Sequence, residues 1–302
     1  MQSNIQVIHA PINLGLRRDQ YGRERGCDKL PNALEALDFH SSIGATDVRR
    51  MTKPCYPKEE IYVDGALNSS QIASFSVDLA NVVEDILNAS DFPLVIGGDC
   101  SVLVGSTLAV ARRGKYGLIH IDAHPDYYNK YNKERAATAG MDLAIVTGKG
   151  TDILANLENR KPYISSELAF TFGYRESDPE KEIIEEVVKD GITCWSAERS
   201  IREGIEKTAN ALTSFINRAD IDGYWLHLDA DVLDASIMPC VDCPEPNGLQ
   251  WKDLTYILKS LLATNKITGM NVTILDPLLD SSDEVTRTFN KMLIEVLREL
   301  NV

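Results

Sequence analysis

The segment Gly117-Leu-Ile-His-Ile-Asp122-Ala-His124-Pro-Asp126 joins a short apolar run to three side chains that can bind a metal ion. Such a run is typical of a buried strand in a parallel sheet. Asp122, His124 and Asp126 follow at alternate positions, and an extended backbone would point all three toward one face. Two carboxylates and one imidazole suit Mn, Mg, Fe or Zn. The alternative is a solvated acidic turn in which His124 is an ordinary turn residue.

A second segment, Tyr224-Trp-Leu-His-Leu-Asp229-Ala-Asp231-Val-Leu-Asp234, repeats this arrangement of an apolar strand followed by acidic residues. Asp229 and Asp231 would share a face, whereas Asp234 would lie beyond the strand in a turn. Buried carboxylates are costly unless they are paired or bind a cation. If the two acidic strand ends meet, the sequence predicts a shared site for two metal ions, which can activate a water molecule.

Length and composition are ordinary for a soluble globular protein. The chain has 302 residues, of which 44% are hydrophobic and 25% are charged. Its formal charge of -14 argues against nucleic acid or an anionic membrane as the main partner. No apolar run approaches the roughly 18 residues of a membrane span, and the first ten residues lack the pattern of a signal peptide. We therefore predict a cytoplasmic protein that acts on a small molecule.

Strand-like and helix-like runs alternate along almost the whole chain. Strands are predicted at 5–10, 92–96, 117–121, 168–172, 193–195, 223–229 and 270–275, and helices at 30–37, 70–88, 102–113, 140–147, 180–189, 201–217, 251–263 and 284–300. This alternation predicts an α/β fold, a parallel sheet with helices on both faces. Because we find no internal repeat and no linker, we predict one domain over residues 1–302. Ligands of such sheets collect beyond the carboxyl ends of the strands.

The segment Gly97-Gly98-Asp99-Cys100-Ser101 lies between a predicted strand and a predicted helix. Its glycines could cradle a phosphate at the helix N-terminus, although no lysine follows them. Alternatively, they allow a tight turn that brings Asp99 or Cys100 to the metal ions, where a thiolate of lowered pKa could bind. A buried, unreactive Cys100 is an equally supported interpretation. Elsewhere, Cys240 and Cys243 form a C-x-x-C motif that we interpret as two reduced thiols in a loop.

With these segments, the sequence resembles the ureohydrolase family, which includes arginase, agmatinase and formimidoylglutamase. The resemblance rests on residues 97–101, 122–126 and 229–234, and it extends to Pro239 and to residues 244–249. It implies a three-layer α/β/α fold with a central, mainly parallel sheet, assembled into homo-oligomers that are trimers or hexamers. It also implies two Mn ions and a hydroxide that attacks a guanidine or amidine carbon.

The resemblance further implies which residues bind the metal ions, namely Cys100, Asp122, His124, Asp126, Asp229 and Asp231. The carboxylates of Asp122 and Asp229 would bridge the two ions. Cys100 and Asp126 would complete one site, and the remaining two residues would complete the other. Asp126 is also the candidate catalytic residue, because it could relay a proton to the leaving amine.

Two further residues are candidates for substrate binding. Asp178 lies in the segment 175–179, which resembles the arginase segment that recognises a substrate α-amino group. Arg135 occupies a position where arginases have a small polar residue near the substrate carboxylate. Because arginine binds carboxylates well, Arg135 points toward an acidic substrate.

Three positions depart from the family pattern. Cys100 replaces a histidine, and a thiolate would weaken Mn binding or favour Zn or Fe. Ala139 replaces a histidine to which proton transfer is attributed in arginases. Ile274 replaces a glutamate that binds the guanidinium group, so that a buried partner for this cation is missing. We therefore expect slow turnover of plain L-arginine.

The favoured hypothesis is a binuclear metal hydrolase that cleaves a linear C–N bond in a guanidino, amidino or formimino compound. The alternative is a non-catalytic relative that binds a metal ion or a metabolite, an idea prompted by the missing histidine and glutamate. His120 and His227 precede the acidic clusters on strands that should be buried. We interpret each as a hydrogen-bonded interior histidine that could support the site.

Overall fold

One eight-stranded sheet organises the protein in a computed structural model that describes residues 4–129, 133–176, 181–218 and 220–301. The strands of this sheet and of one short hairpin are β1 (Ile5–Ala10), β2 (Asp47–Arg50), β3 (Tyr62–Val63), β4 (Ala66–Leu67), β5 (Phe92–Gly97), β6 (Tyr116–Ile121), β7 (Ala169–Phe172), β8 (Thr193–Trp195), β9 (Gly223–Asp229) and β10 (Ile267–Thr273). The sheet has the order β2-β1-β5-β10-β9-β6-β7-β8, and its described pairings are parallel. Strands β3 and β4 form the separate antiparallel hairpin.

Helices cover both faces of the sheet. They are α1 (Leu30–Glu35), α2 (Phe39–Ser42), α3 (Ser69–Asn88), α4 (Val102–Arg113), α5 (Asp142–Val146), α6 (Asp152–Ala155), α7 (Lys181–Lys189), α8 (Ala197–Glu203), α9 (Ile205–Arg218), α10 (Trp251–Leu262) and α11 (Glu284–Leu297). Apolar side chains of α1, α2, α9, α10 and α11 share one core cluster, and those of α3 to α7 share another. Within the described residues, no helix is long and apolar enough to cross a membrane.

The alternation of side chains along the strands explains the two clusters. Leu94 and Ile96 of β5 belong to the first cluster, whereas Val95 between them belongs to the second. Successive residues of a strand point to opposite faces, so a run that is apolar at every position buries both faces of the sheet. The predicted α/β/α fold with a mainly parallel central sheet is therefore confirmed.

Most elements were predicted from the sequence, but strand β2 at one edge of the sheet and the short elements α2, β3, β4 and α6 were not. The strand at 193–195 and the strand at 223–229 have the predicted bounds. The edge strand β2 was not predicted, because its sequence Asp-Val-Arg-Arg is largely exposed and lacks an apolar run. The predicted helix at 201–217 is instead the pair α8 and α9, separated at Gly204, whose φ of 96° interrupts a helix.

Four neighbouring strands in the middle of the sheet, β5, β10, β9 and β6, end side by side. Because they are parallel, their carboxyl ends lie at the same edge, where α/β sheets bind ligands. All six predicted metal ligands lie in the segments that follow β5, β6 and β9 or, for Asp229, at the end of β9 itself. The position of Ile274, directly after β10, belongs to the same edge.

Gly98 allows the turn after β5 to pass close to the chain that follows β1. A Cβ atom at residue 98 would lie 1.6 Å from the carbonyl oxygen of Ile12. The backbone N–H of Asp99 donates to this same oxygen at 3.0 Å, and the carbonyl of Gly98 accepts from Ile274 N at 2.8 Å. These contacts favour the interpretation of the two glycines as a tight turn.

We expect the substitution Gly98→Ala to destabilise the protein more than Gly97→Ala. A Cβ at residue 97 would lie 3.0 Å from a methyl group of Val102, which a small side-chain movement relieves, whereas a backbone carbonyl cannot move in this way. Overpacking typically costs about 1–3 kcal/mol. Urea denaturation measures both variants, and equal free energies of unfolding would contradict the close approach at Gly98.

Candidate active site

The segment after β6 is a turn. Strand β6 ends at Ile121, the Oδ1 of Asp122 accepts a hydrogen bond from His124 N at 2.7 Å, and Asp126 has a positive φ of 42°. The expectation that an extended backbone aligns Asp122, His124 and Asp126 is therefore wrong. A short side chain that bonds to the backbone two residues later stabilises a turn, and aspartate does this readily.

The segment after β9 forms a similar turn. Asp229 ends the strand, and its Oδ1 accepts a hydrogen bond from Asp231 N at 2.8 Å across a short 3-10 helix. The Oδ1 of Asp231 in turn accepts from Ala123 N at 3.0 Å. The two acidic turns are therefore joined by a direct hydrogen bond.

The candidate ligands of all three segments meet. His124 Nδ1 lies 3.0 Å from Asp231 Oδ2, and Cys100 Sγ lies 2.6 Å from Asp229 Oδ2. Potential ligand atoms of Cys100, Asp122, Asp229 and the nearby His227 all lie within 4.8 Å of one another. A cluster of this size matches the spacing of groups that share metal ions.

A cavity of about 320 Å³ opens over this cluster. Five of the six candidate ligands line it, namely Cys100, His124, Asp126, Asp229 and Asp231. Its other walls combine apolar side chains, among them Ala139 and Ile274, with the charged groups of Lys133, Asp242 and Glu245. The cavity can therefore present a small molecule to the cluster.

Burial and the neighbouring charges disfavour the ionised forms of several carboxylates in the cluster. Burial, followed by the charge of Asp122, raises the pKa of Asp126 well above its usual range. Burial and the charge of Asp231 raise the pKa of Asp229 in the same way. Burial raises the pKa of Cys100 as well, and Asp229 adds to this effect, so without cations the thiolate is disfavoured.

Histidines stabilise the charged form of Asp122. Burial opposes the charge of Asp122, but contacts with His124, His227 and His120 outweigh it and lower the pKa of Asp122. Burial likewise opposes the charge of His124, yet Asp231 and Asp122 raise its pKa well above the usual value. The imidazoles therefore offset part of the acidic charge of the cluster, whereas the pKa values of Asp126 and Asp229 stay raised.

The residues fit divalent metal ions. Among the described residues, no hydrogen-bond donor reaches Oδ2 of Asp122, although this oxygen is buried. A buried carboxylate oxygen of this kind is costly unless a cation replaces the missing donor. The cluster offers carboxylate, imidazole and thiol groups, which bind Mn, Fe or Zn. These residues could therefore hold metal ions.

The two substrate-binding candidates have different outcomes. Asp178 lies outside the described residues. Arg135 is exposed, its guanidinium lies 5.3 Å from the ring centroid of Tyr62, and it is not among the described residues that line the cavity. Its role toward a substrate carboxylate stays a prediction. Lys133, which the sequence did not single out, does line the cavity, and its ammonium lies 3.8 Å from the ring centroid of Tyr128.

Arg175 holds the loops around the cluster. Its guanidinium is buried and donates to the carbonyls of Gly173, Pro246 and Asp231. A buried guanidinium with several carbonyl partners fixes the backbone segments that supply them. Arg175 thereby positions the turn that contains Asp231.

Ile274 has a strained backbone at the cavity wall. It is buried and has a φ of 72°, which is rare for a β-branched residue. Its N–H donates to the carbonyl of Gly98, so that the turn after β5 holds this conformation in place. Strain at such a position is typical of a functional site.

Sequence reasoning missed several polar groups at the site. Asp242, which lines the cavity, has its Oδ1 2.9 Å from Arg25 Nε. Asp142 opens helix α5, and its ligand atoms lie within 4.8 Å of those of Cys100 and Asp126. An acidic residue directly before the apolar run 143–146 was the available signal, but it is also typical of an ordinary helix start.

The model of the Arginase family matches residues 3–298. The chain belongs to the arginase family. The arginase of Bacillus subtilis (strain 168) is 28% identical over 303 residues, with 98% of each chain covered. The crystal structure of arginase from Bacillus cereus has a TM-score of 0.84 at 26% identity, and 98% of each chain is covered. The Bacillus caldovelox arginase structure has the same coverage, a TM-score of 0.86 and 24% identity, and shows the likeness of the fold.

This membership confirms the resemblance to ureohydrolases. Arginase-family members are hydrolases that act on C–N bonds of linear amidines, so the predicted enzyme class and a small-molecule substrate are confirmed. The comparisons do not favour the alternative of a non-catalytic relative.

The metal-free protein should become less stable as the pH rises. The raised pKa values of Asp126 and Asp229 mean that, above the ordinary carboxyl value of 3.8, the folded chain binds more protons than the unfolded chain. The raised pKa of His124 acts in the same direction. The lowered pKa of Asp122 adds stability above 3.8, which is lost only as the pH falls.

Urea denaturation of the EDTA-treated protein at a series of pH values measures this effect. We expect the free energy of unfolding to fall between roughly pH 5 and pH 8 by at least about 1.4 kcal/mol, the equivalent of one proton over one pH unit. Stability that is constant or rises over this range would contradict the electrostatic account.

Proposed function

We propose that the protein is a binuclear metal-dependent hydrolase that cleaves a linear C–N bond in a guanidino, amidino or formimino amino acid. The convergence of Cys100, His124, Asp126, Asp229 and Asp231 on one cavity carries this proposal. Asp122 belongs to the same cluster, 3.5 Å from His124 Nδ1. The location of these residues at the carboxyl ends of central parallel strands further supports the proposed function.

Two divalent cations held by these six residues would lower the pKa of water and so supply hydroxide near neutral pH. Asp122 and Asp229 would contact both cations, Cys100 and Asp126 one, and the remaining two residues the other. Manganese is the proposed metal. Zinc or iron is the alternative, because the thiolate of Cys100 is a softer ligand than imidazole.

The chain's own residues would bind the substrate and move protons. Asp126 would carry a proton from the attacking water to the leaving amine through a carboxylate oxygen. The apolar side chains of Ala139 and Ile274 would exclude water beside the reacting carbon. Ala139 has no acidic or basic group, so it cannot share the proton transfer.

The cavity walls support a zwitterionic substrate. Lys133 would bind a carboxylate, and Asp242 or Glu245 would bind an ammonium group. Asp178 and Arg135 are proposed to add to ammonium and carboxylate binding, respectively. Because Ile274 is uncharged, this wall offers no carboxylate partner to the guanidinium of plain L-arginine, and slow turnover of that substrate is part of the proposal.

We also propose that the protein is a cytoplasmic homo-oligomer, either a trimer or a hexamer. The free thiols of its cysteines support a reducing compartment. The family resemblance supports the assembly, and analytical ultracentrifugation would measure it.

Release of urea, ammonia or formamide from a panel of guanidino, amidino and formimino amino acids tests the proposed reaction. The Mn-, Zn- and Fe-loaded enzymes should each be assayed. We expect at least one substrate to be cleaved and Asp126→Asn to lower kcat by roughly 100-fold or more, as general acid–base catalysts do. Asp234→Asn, in the same loop region as Asp231, is a matched control that should retain most activity. No turnover across the panel would contradict the proposal.

We expect Ile274→Glu to raise kcat/KM for L-arginine above that of Ile274→Gln. The two variants have the same shape and differ in one charge, so the comparison isolates the missing carboxylate. A charged hydrogen bond is worth about 1.5–3 kcal/mol, which corresponds to roughly 10- to 100-fold. Steady-state kinetics measures both variants. Equal values would show that Ile274 does not face the guanidinium position.

A further inference from the structure

A second layer of ionisable side chains lies beneath the acidic cluster. It consists of Asp142 at the start of α5, His120 on β6 and His227 on β9, and all three are fully buried. The two imidazole rings stack with centroids 4.9 Å apart and planes inclined by 10°. The family resemblance gave none of these side chains a role as a metal ligand, although their atoms satisfy the same distance criterion as those of Cys100, Asp122, Asp126 and Asp229.

His227 is excluded as a ligand by its hydrogen bonds. The indole N–H of Trp225, which can only donate, points at Oδ1 of Asn271 at 2.5 Å and so fixes the orientation of that amide. Nδ2 of Asn271 then donates to Nδ1 of His227 at 2.5 Å. In the neutral ring Nε2 therefore carries the proton, and a protonated nitrogen cannot bind a metal ion.

His120 forms a hydrogen bond with Asp142. Its Nε2 lies 3.2 Å from Asp142 Oδ1 and its Nδ1 lies 3.1 Å from the hydroxyl of Thr171. An ionised carboxylate can only accept, so Nε2 of His120 donates and Nδ1 accepts from Thr171. One oxygen of Asp142 is thus held in place by a histidine.

The other oxygen of Asp142 has no donor. Among the described residues none donates to Oδ2, and Nε2 of His227 lies 3.6 Å from this oxygen, which is too far for a hydrogen bond. Ligand atoms of Asp142, Cys100 and Asp126 lie within 4.8 Å of one another. A carboxylate that has one oxygen bonded by a histidine and the other without a donor, and that lies beside candidate metal ligands, has the usual arrangement of a metal ligand and its supporting group.

We propose that Asp142 is an additional ligand of the metal ion held by Cys100 and Asp126. The inference rests on the proposed metal centre and adds a ligand to it. A hard, anionic oxygen at this position would offset the loss of affinity for Mn or Fe that the softer sulfur of Cys100 causes. His120 would orient Asp142, and Nε2 of His227 would lie near the carboxylates of Asp122 and Asp142 without touching the ion.

Cobalt binding to the full-length, EDTA-treated protein tests the proposal, because a Co–thiolate band in the near ultraviolet reports the ion beside Cys100. Asp142→Asn keeps the shape of the side chain and removes its charge. We expect it to weaken cobalt binding by more than about 100-fold, beyond the roughly 10- to 100-fold typical of a lost supporting group, and to change the visible spectrum of the bound ion. Asp280→Asn is the control. The buried carboxylate of Asp280 accepts a hydrogen bond from Thr286 N and is not among the described residues that line the cavity, so this substitution should leave both readouts unchanged.

The outcomes distinguish a failure of this inference from a failure of the proposed metal centre. If the wild-type protein shows no band, or if Cys100→Ser keeps it, the proposed metal centre is wrong. If the wild type shows the band and Asp142→Asn leaves the visible spectrum unchanged, with or without weaker binding, Asp142 is not a ligand and the inference is overturned.

A crystal structure of the cobalt-loaded wild type decides the case in which Asp142→Asn does not fold. Anomalous scattering locates the ion. An Asp142 oxygen at about 2.0–2.2 Å from it would support the proposal, since this is the usual metal–carboxylate distance. A separation beyond about 3 Å would overturn it.

Discussion

Mutual repulsion of buried carboxylates is the constraint on which this structure depends. Two unit charges at about 4–5 Å repel by roughly 3–4 kcal/mol at an effective dielectric constant of ~20. The turns after β6 and β9 bring Asp122, Asp126, Asp229 and Asp231 together, and burial together with the neighbouring charges raises the pKa values of Asp126 and Asp229. Protons can relieve this repulsion at low pH, whereas divalent cations can relieve it near neutral pH. In the proposed function, the same cations would therefore relieve this repulsion and activate the attacking water.

The sheet was predictable because burial on both faces leaves a plain signal, an apolar run such as Phe92–Gly97 between two polar turns. The turn conformation of the two acidic segments was not predictable in this way. Alternate spacing suggested an extended backbone, but aspartate side chains that bond to the backbone two residues later formed turns instead. The residues came together all the same, because parallel strands deliver their carboxyl ends to one edge. Asp142 and Lys133 escaped prediction, since only tertiary packing brings Lys133 to the cavity and Asp142 to Cys100 and Asp126.

Ala139 and Ile274, two of the departures from the arginase pattern, both line the cavity. Neither side chain is charged, whereas Lys133, Asp242 and Glu245 of the same cavity are. In the proposed function, substrate recognition would therefore depend on these charged groups. The backbone at Ile274 has a left-handed conformation that suits this side chain poorly.

Elemental analysis of the protein, purified in the presence of Mn and freed of loosely bound ions, tests the central claim most directly. The account predicts two divalent ions per chain in the wild type and a loss of both in Asp229→Asn, because this carboxylate would contact each ion. A wild-type protein that is folded at neutral pH and contains no bound divalent ion would contradict it, since the crowded carboxylates would then need no cations.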